Sequence, residues 1–258
     1  MNDVPGMSAP FNNDFSGNPS EIKNAAEKAV ICRGLTKRFS TAAALNNVDL
    51  DLPSGKIIGL LGPNGSGKTT FMKILAGVLT PSSGNVLVGG EEIGVSTKAK
   101  VSFLPDRGIF NPSMRVRNCM KLYRDFFADY DEEKAKKMFD DLHIDINSKL
   151  RTLSKGNLEK VHLIMTMSRN AKLYLLDEPI GGVDPATRDY ILNTIIAGYN
   201  PEATLIISTH LIRDIENILE GFVFIGGGTI VMSGDADEAR EKYGKTLDEL
   251  FREVFRCC

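Results

Sequence analysis

The sequence lacks an apolar run long enough to cross a membrane. Its longest uncharged apolar stretch, residues 221–234, is shorter than the about 20 residues that a spanning helix needs, and the glycines from Gly226 to Gly228 interrupt it. The chain starts with the acidic segment Met1-Asn2-Asp3 and no apolar run follows, so we expect no signal peptide. Any role at a membrane is therefore expected to depend on a partner.

Cysteine is scarce, and neither sign of charge dominates. The four cysteines, at positions 32, 119, 257 and 258, show no metal-binding C-x-x-C spacing, which is typical of reduced thiols in a cytosolic protein. The Cys257-Cys258 pair does not fit the C-a-a-X lipidation signal, so we interpret it as an exposed tail. The 31 basic and 33 acidic residues are interspersed and the net charge is -2, which indicates no nucleic-acid surface.

A glycine-rich segment at positions 62–70 matches the phosphate-binding pattern G-x-x-x-x-G-K-[ST]. A short apolar strand is predicted before it, and a helix with apolar residues at helical spacing up to Val78 is predicted after it. Glycines let backbone N–H groups approach phosphate oxygens, while Lys68 would reach the β and γ phosphates and the Thr69 hydroxyl would ligate Mg²⁺. The residues predicted to bind the nucleotide are Gly62, Pro63, Asn64, Gly65, Ser66, Gly67, Lys68, Thr69 and Thr70.

Apolar segments alternate with helical ones along the rest of the chain, which is 42% hydrophobic over 258 residues. Continuous apolar runs at 173–176 and 204–207, separated by a helix, are typical of a parallel sheet with helices on both faces. Shorter strands that end in tight turns favour a small antiparallel sheet before them. We predict an α/β fold: a P-loop NTPase core with a mostly parallel sheet, a small antiparallel β subdomain and an inserted α-helical subdomain. The early strands are expected at 29–32, 48–52 and 84–90.

Composition and periodicity also suggest boundaries within the chain. Residues 1–28 are rich in Asn, Ser, Pro and Gly, with a helical pattern near 21–28, and we interpret them as a flexible tail. The main domain is expected to span 29–245, with the helical subdomain inserted at about 107–170, followed by a C-terminal helix and tail at 246–258. Within the main domain, an apolar stripe from Leu211 to Leu219 predicts a helix that Gly221 ends.

Two carboxylates, Asp177 and Glu178, directly follow the apolar run at 173–176. Because ligand sites in open parallel sheets lie at the carboxyl ends of the strands, we expect both side chains beside the glycine-rich segment. Asp177 would hold Mg²⁺, and Glu178 would orient or deprotonate an attacking water. An Asp-Glu-Pro turn without function is the alternative, and the phosphate-binding pattern upstream disfavours it.

The segment Leu153-Ser154-Lys155-Gly156-Asn157 precedes an apolar helix and by itself would indicate only a serine N-cap and a glycine turn. Together with the two earlier motifs it decides the family. The chain resembles the ATP-binding subunits of ABC transporters, whose signature L-S-G-G-Q appears here in altered form, and the resemblance covers about residues 30–250. It implies that Ser154 and Gly156 contact the γ-phosphate of ATP held by a second subunit.

Other positions match the same family pattern in the same order. Phe39 lies where the family places an aromatic side chain that stacks on adenine. The segment 181–184 matches the loop that crosses the dimer interface, and Asp184 is also expected to cap a helix that begins at Pro185. His210 matches the histidine that contacts the γ-phosphate. The other two histidines have no such context and are expected to be packing or surface residues.

Two residues depart from the family pattern. Asp106 stands where the family has a glutamine; it can ligate Mg²⁺ but adds negative charge beside the phosphates. Lys155 replaces a glycine of the signature and adds a positive charge near the γ-phosphate. That the positive charge of Lys155 compensates the negative charge of Asp106 is a hypothesis.

The resemblance implies a subunit that hydrolyses ATP with Mg²⁺, dimerises around two ATP with a second copy or a paralogue, and drives separate permease subunits from the inner face of the cell membrane. Similarity to bacterial exporters with separate permeases favours export, and the segment 106–130 is the expected docking surface. The alternatives are an ABC-type ATPase acting on ribosomes or DNA and a nucleotide-dependent scaffold that does not hydrolyse. An ABC-type ATPase that acts on ribosomes or DNA usually has two ATPase units or a long coiled coil, and this sequence has neither. Glu178 argues against a scaffold that does not hydrolyse nucleotide.

Overall fold

Two β-sheets form the scaffold of the computed structural model, which describes residues 28–40 and 42–256. The strands are β1 (Lys28–Phe39), β2 (Ala42–Pro53), β3 (Ile57–Leu61), β4 (Ser83–Val88), β5 (Glu91–Glu92), β6 (Val101–Leu104), β7 (Leu173–Asp177), β8 (Thr204–Thr209), β9 (Gly221–Gly226) and β10 (Thr229–Asp235). A four-stranded antiparallel sheet has the order β2-β1-β4-β5. A six-stranded sheet has the order β10-β9-β3-β8-β7-β6 and is parallel except for the β9–β10 hairpin at one edge.

Helices connect and cover these strands. They are α1 (Lys68–Leu75), α2 (Val95–Lys100), α3 (Val116–Phe126), α4 (Glu132–Asp141), α5 (Lys155–Met167), α6 (Pro185–Gly198), α7 (Ile212–Ile215), α8 (Ala236–Tyr243) and α9 (Leu247–Val254), with 3₁₀ turns at Leu150–Thr152 and Glu216–Ile218. The Asp184 carboxylate accepts the backbone N–H of Thr187, and Pro185 is the first residue of α6. The predicted N-cap is thus confirmed. Within residues 28–40 and 42–256, every helix is too short or too polar to span a bilayer.

The parallel sheet is buried on both faces, as the continuous apolar runs predicted. All residues of β7 and β8 are buried, and α1 and the antiparallel sheet share one apolar cluster on one face while α5, α6 and α8 contribute to a second cluster on the other. The strand β3 lies between β8 and β9 and runs parallel to both. The carboxyl ends of β3, β7 and β8 therefore meet at one edge of the sheet.

A third apolar cluster lies among α3, α4 and α5, with Val116, Phe139 and Val161 fully buried in it. Arg169 joins this cluster to the sheet. Its side chain is 2% exposed, and it donates to both carboxylate oxygens of Asp129, at 2.8 and 3.0 Å. The same guanidinium donates to the Val101 carbonyl at 2.6 Å, so one buried cation holds the helices against the edge strand β6.

Three local predictions are wrong. Lys28 belongs to β1 rather than to the tail, and its ammonium forms an ion pair with Asp51 at 2.6 Å. Val78 is not on the buried face of α1, because the helix ends at Leu75 and the chain turns at Gly77, which has a φ of 66°, leaving Val78 66% exposed. Gly221 does not end a helix but begins β9. Apart from Lys28, the tail and the helical pattern predicted at its end lie outside the described residues, as does Cys257-Cys258.

The C-terminal helix α9 packs on the same core as the parallel sheet. Leu247 and Leu250 are buried in the second cluster, and the Phe251 ring contacts the Phe224 ring of β9 edge-on, with centroids 5.4 Å apart. The C-terminal helix expected within 246–258 thus packs on the main sheet.

The Arg169–Asp129 pair yields a stability prediction. Asp129→Asn removes the charge that compensates a buried guanidinium, so we expect the free energy of unfolding to fall by about 3 kcal/mol, measured by urea denaturation. As a control, Arg124→Gln breaks an ion pair with Glu132 in which the side chains are 55% and 31% exposed, and it should cost less than about 1 kcal/mol. Equal losses in the two variants would contradict a special role for the buried pair.

Candidate functional site

The glycine-rich segment forms a tight loop between β3 and α1. Gly67 is the N-cap of α1 with a φ of 109°, and a Cβ there would lie 2.5 Å from the Ala44 carbonyl oxygen. A Cβ on Gly62 would lie 2.2 Å from the Ile225 carbonyl oxygen, so neither glycine has room for a side chain. The backbone N–H groups of the first turn of α1 are therefore presented at the end of β3, as a phosphate-binding loop requires.

Lys68 is held over this loop. Its side chain is 6% exposed, and Nζ donates to the Gly62 carbonyl at 2.8 Å and to the Pro63 carbonyl at 3.2 Å. Burial lowers the pKa of Lys68, while the charges of Glu178 and Asp177 act in the opposite direction. This partly desolvated ammonium ion, whose hydrogen bonds go to two backbone carbonyls, can pair with a phosphate.

Asp177, at the end of β7, connects three elements. Its Oδ1 atom accepts hydrogen bonds from Thr69 Oγ1 at 3.1 Å and from Ser208 Oγ at 2.6 Å, so the carboxylate links β7 to α1 and to β8. Its Oδ2 atom is buried and has no hydrogen-bond partner, and the buried hydroxyl of Ser66 has none either. Burial raises the pKa of Asp177, and the hydrogen bonds from Ser208 and Thr69 oppose that rise.

This arrangement fits a magnesium ion. Carboxylate and hydroxyl oxygens are the donors that Mg²⁺ prefers, and protein sites usually supply one or two carboxylates while substrate phosphates and water complete the shell. The unpartnered Oδ2 atom of Asp177 and the Thr69 hydroxyl beside it provide such donors. No group of three or more His, Cys, Asp or Glu residues with metal-ligand geometry occurs in the described part of the chain.

Glu178 lies next to the loop on a strained stretch of backbone. Its φ is 52°, which is unusual for a residue with a side chain, and its N–H donates to the Ser208 carbonyl at 3.0 Å and to the Ser208 hydroxyl at 3.1 Å. One carboxylate oxygen lies 3.6 Å from Lys68 Nζ, and the other lies 3.0 Å from His210 Nδ1. The backbone conformation thus directs the carboxylate toward the loop.

One cavity of about 530 Å³ contains most of these groups. The glycine-rich loop, Glu178 and His210 line it together with the exposed residues Asp106 and Lys155. Its lining residues are Ala44, Asn64, Gly65, Ser66, Gly67, Lys68, Thr69, Thr70, Asp106, Lys155, Glu178, Gly181, Gly182 and His210.

Seven sequence-predicted site residues do not line this cavity: Phe39, Gly62, Pro63, Ser154, Gly156, Asp177 and Asp184. Phe39 is 50% exposed at the end of β1, with Lys37 Nζ 5.2 Å from its ring centroid. Ser154 caps α5, since its hydroxyl accepts the Asn157 N–H at 3.3 Å, and Gly156 is in the first turn of that helix. Asp184 caps α6. In one chain, these groups and the loop do not form a single pocket.

Sequence reasoning missed the role of Ser208. It pairs in register with Asp177 across β7 and β8, and its hydroxyl and carbonyl position both acidic residues. A serine at the end of an apolar strand was the available signal, but only the strand order shows that the two strands are neighbours.

The other two histidines lie where packing and surface residues are expected. His162 is 6% exposed and stacks on Phe110 with ring centroids 5.4 Å apart, and burial lowers its pKa to about 4. His143 is exposed and has a φ of 53°.

A glycine-rich loop between a strand and a helix, with a buried aspartate and a glutamate at the carboxyl ends of parallel strands, defines a nucleotide-binding P-loop protein. The family profile described as ABC transporter matches residues 45–181, and the chain belongs to this family as a nucleotide-binding subunit. The resemblance and the fold class stated from the sequence are thus confirmed.

Individual relatives agree with this assignment. The uncharacterized ABC transporter ATP-binding protein YhaQ of Bacillus subtilis is 29% identical over 218 residues, which cover 82% of this chain and 72% of that protein. The lipopolysaccharide export system ATP-binding protein LptB of Haemophilus influenzae is 28% identical over 215 residues, which cover 79% and 89%. A solved ATP-binding subunit of an ABC transporter shares the fold, with a TM-score of 0.79 at 22% identity, covering 88% of this chain and 99% of that chain.

The raised pKa of Asp177 yields a prediction about stability. Because the pKa is higher in the folded than in the unfolded protein, the ionised carboxylate destabilises the fold above the unfolded-state pKa. Asp177→Asn should therefore increase the free energy of unfolding near neutral pH in the presence of a metal chelator, and the gain should shrink as the pH falls to about 4.

Ser208→Ala serves as the control in the same denaturation experiment. It removes a donor that stabilises the ionised carboxylate, so it should lower the free energy of unfolding near neutral pH. An Asp177→Asn protein that is less stable than the parent at neutral pH would contradict this account of the site.

Proposed function

We propose that the chain binds ATP with Mg²⁺ and hydrolyses it at this site. The position of Glu178 is the observation that supports this proposal. Its carboxylate lies between the ammonium of Lys68, at 3.6 Å, and the imidazole of His210, at 3.0 Å, and it is 14% exposed at the cavity. A carboxylate beside the cation that binds the terminal phosphates is placed to orient and deprotonate water.

The loop and Lys68 bind the triphosphate. The backbone N–H groups of residues 64–69 and the N-terminus of α1 provide donors and a positive dipole for phosphate oxygens. Lys68 exchanges its contacts with the Gly62 and Pro63 carbonyls for contacts with the β and γ phosphates, a stronger charge-assisted interaction.

The proposed reaction is in-line attack of water on the γ-phosphorus. The new bond forms from the water oxygen, the bond to the bridging oxygen breaks, and ADP and phosphate leave. Glu178 accepts the proton of the water, and His210 holds the carboxylate and contacts the γ-phosphate. Thr69, Asp177 and Asp106 would hold Mg²⁺, which would supply positive charge to the phosphates.

A second copy or a paralogous subunit completes the pocket in this proposal. Ser154, Gly156 and Asp184 lie outside the cavity of their own chain, at the starts of α5 and α6, where free backbone N–H groups can meet the ATP of a partner. Phe39 is exposed and is assigned to stacking on adenine. Two ATP molecules would hold two chains together, and hydrolysis would release them.

The proposed mechanism predicts the behaviour of Glu178→Gln. Without the proton acceptor, ATP hydrolysis should fall by about 10²-fold or more, while ATP stays bound and holds the dimer together. Turnover assays and size-exclusion chromatography with ATP and Mg²⁺ measure the two effects.

Glu133→Gln is the matched control, since Glu133 is 84% exposed in α4 and should tolerate the same change without loss of turnover. A Glu178→Gln protein that remains monomeric with ATP and Mg²⁺ and hydrolyses ATP at the parent rate would exclude the mechanism.

We further propose that hydrolysis drives transport through separate permease subunits on the inner face of the cell membrane, in the direction of export. The relative LptB is the ATP-binding protein of a lipopolysaccharide export system, which supports this direction. The docking surface is proposed at 106–130 and overlaps the proposed inserted helical subdomain at about 107–170. Within it, Ile109 and Phe126 are 61% and 76% exposed.

Co-purification tests the transport proposal. A tagged chain extracted from its source cells in mild detergent should bring down an integral membrane protein, and Phe126→Ser should reduce the recovered amount without changing ATP hydrolysis by the isolated chain. Recovery of ribosomes or DNA in place of a membrane protein would contradict transport.

A further inference from the structure

Lys155 lies where the cavity of its own chain meets the segment 181–184. Its Nζ atom donates to the Gly182 carbonyl at 3.3 Å, and its side chain lines the same cavity as the glycine-rich loop and Glu178. Neighbouring residues of the same motif, Ser154 and Gly156, do not line that cavity. The side chain of Lys155 therefore reaches a site that the rest of its motif does not reach.

A short route of contacts links this ammonium to the reactive carboxylate. The Gly181 N–H donates to the Glu178 carbonyl at 3.0 Å, and a Cβ on Gly181 would lie 3.8 Å from Glu178 Oε2. Gly182 is the next residue, and its carbonyl holds Lys155. The Lys155 ammonium is thus held by Gly182, the residue after the glycine that adjoins Glu178. The four-carbon side chain of Lys155 is flexible and can extend into the cavity.

Asp106 brings the opposite charge to the same cavity. Both residues also act on Glu159, one turn after Lys155 on α5. Burial raises the pKa of Glu159, the charge of Lys155 lowers it, and the charge of Asp106 raises it. The shared cavity places Asp106 and Lys155 near one another in a single chain, and their opposite effects on the pKa of Glu159 are consistent with this placement.

We propose that Lys155 is a specificity-determining residue that acts within its own chain: its ammonium faces the terminal phosphate of the ATP bound by the same chain's loop and offsets the negative charge of Asp106. This inference rests on the proposed function and deepens it, since Ser154 and Gly156 are assigned there to the ATP of a partner. Lys155 favours ATP over ADP because ADP has no γ-phosphate for the ammonium to contact.

The experiment compares nucleotide affinities rather than turnover. The affinities for ADP and for adenylyl imidodiphosphate, which is not hydrolysed, are measured by displacement of a fluorescent nucleotide without Mg²⁺. Lys155→Gln should lower the preference for the triphosphate about fivefold, and Lys155→Arg should retain it. Lys160→Gln, which removes a charge from the same helix where the ammonium lies 4.8 Å from the Tyr190 ring centroid, should leave the preference unchanged.

The charge compensation has its own test in the same assay. Asp106→Asn should raise the preference for the triphosphate, and the double variant Asp106→Asn/Lys155→Gln should return to within about twofold of the parent. A double variant as impaired as Lys155→Gln alone would overturn the compensation, and an unchanged preference in Lys155→Gln would overturn the inference as a whole.

Mixed chains distinguish action within one chain from action across a dimer. Lys68→Ala chains, which should lose nucleotide binding but keep Lys155, are added in excess to Lys155→Gln chains. The preference of the Lys155→Gln chains should stay low, whereas its restoration to the parent value would show that Lys155 acts on a partner's nucleotide. If Lys68→Ala itself binds nucleotide normally, the proposed nucleotide site is wrong, an outcome separate from failure of the inference about Lys155.

Discussion

The buried carboxylate of Asp177 is the interaction on which the rest of the site depends. A charge that is 1% exposed is costly unless it is hydrogen-bonded, and here Thr69 and Ser208 both donate to one of its oxygens. Those bonds join the end of β7 to the first turn of α1 and to the end of β8. The second oxygen, Oδ2, has no hydrogen-bond partner, so the group that holds three elements together also carries the oxygen proposed to ligate a metal ion.

Glu178, the next residue, is positioned by the same strand end. Glu178 adopts a positive φ of 52°, and its N–H is held by the carbonyl and hydroxyl of Ser208. Such a conformation costs free energy, which the surrounding packing of β7 and β8 must supply. One serine thus stabilises the aspartate by its hydroxyl and positions the glutamate through its backbone.

Charge balance connects the two departures from the family pattern. Asp106 and Lys155 come from segments about 50 residues apart, yet both line the cavity beside the glycine-rich loop. An added negative charge near phosphates is unfavourable, and an added ammonium in the same cavity offsets it. The sequence raised the compensation as a hypothesis, and the shared cavity explains how it can operate within one chain.

Local sequence determined the local structure well. The apolar runs of β7 and β8, the N-cap at Asp184 and the glycines of the loop follow from short-range rules, because burial, capping and backbone freedom are properties of neighbouring residues. The position of Asp177 and Glu178 after an apolar run likewise predicted that both side chains lie beside the glycine-rich loop. The end of α1 and the β-strand at Gly221 were misjudged, since apolar spacing continued past the point where the chain turns.

Only the tertiary structure decided which side chains meet. The order β3-β8-β7 places Ser208 beside Asp177, and no pattern along the chain specifies that order. The reach of Lys155 to Gly182, and the separation of Ser154 from the cavity of its own chain, likewise depend on how α5 packs against the sheet. These contacts join residues far apart in sequence, so long-range packing and electrostatics determine them and local propensities do not.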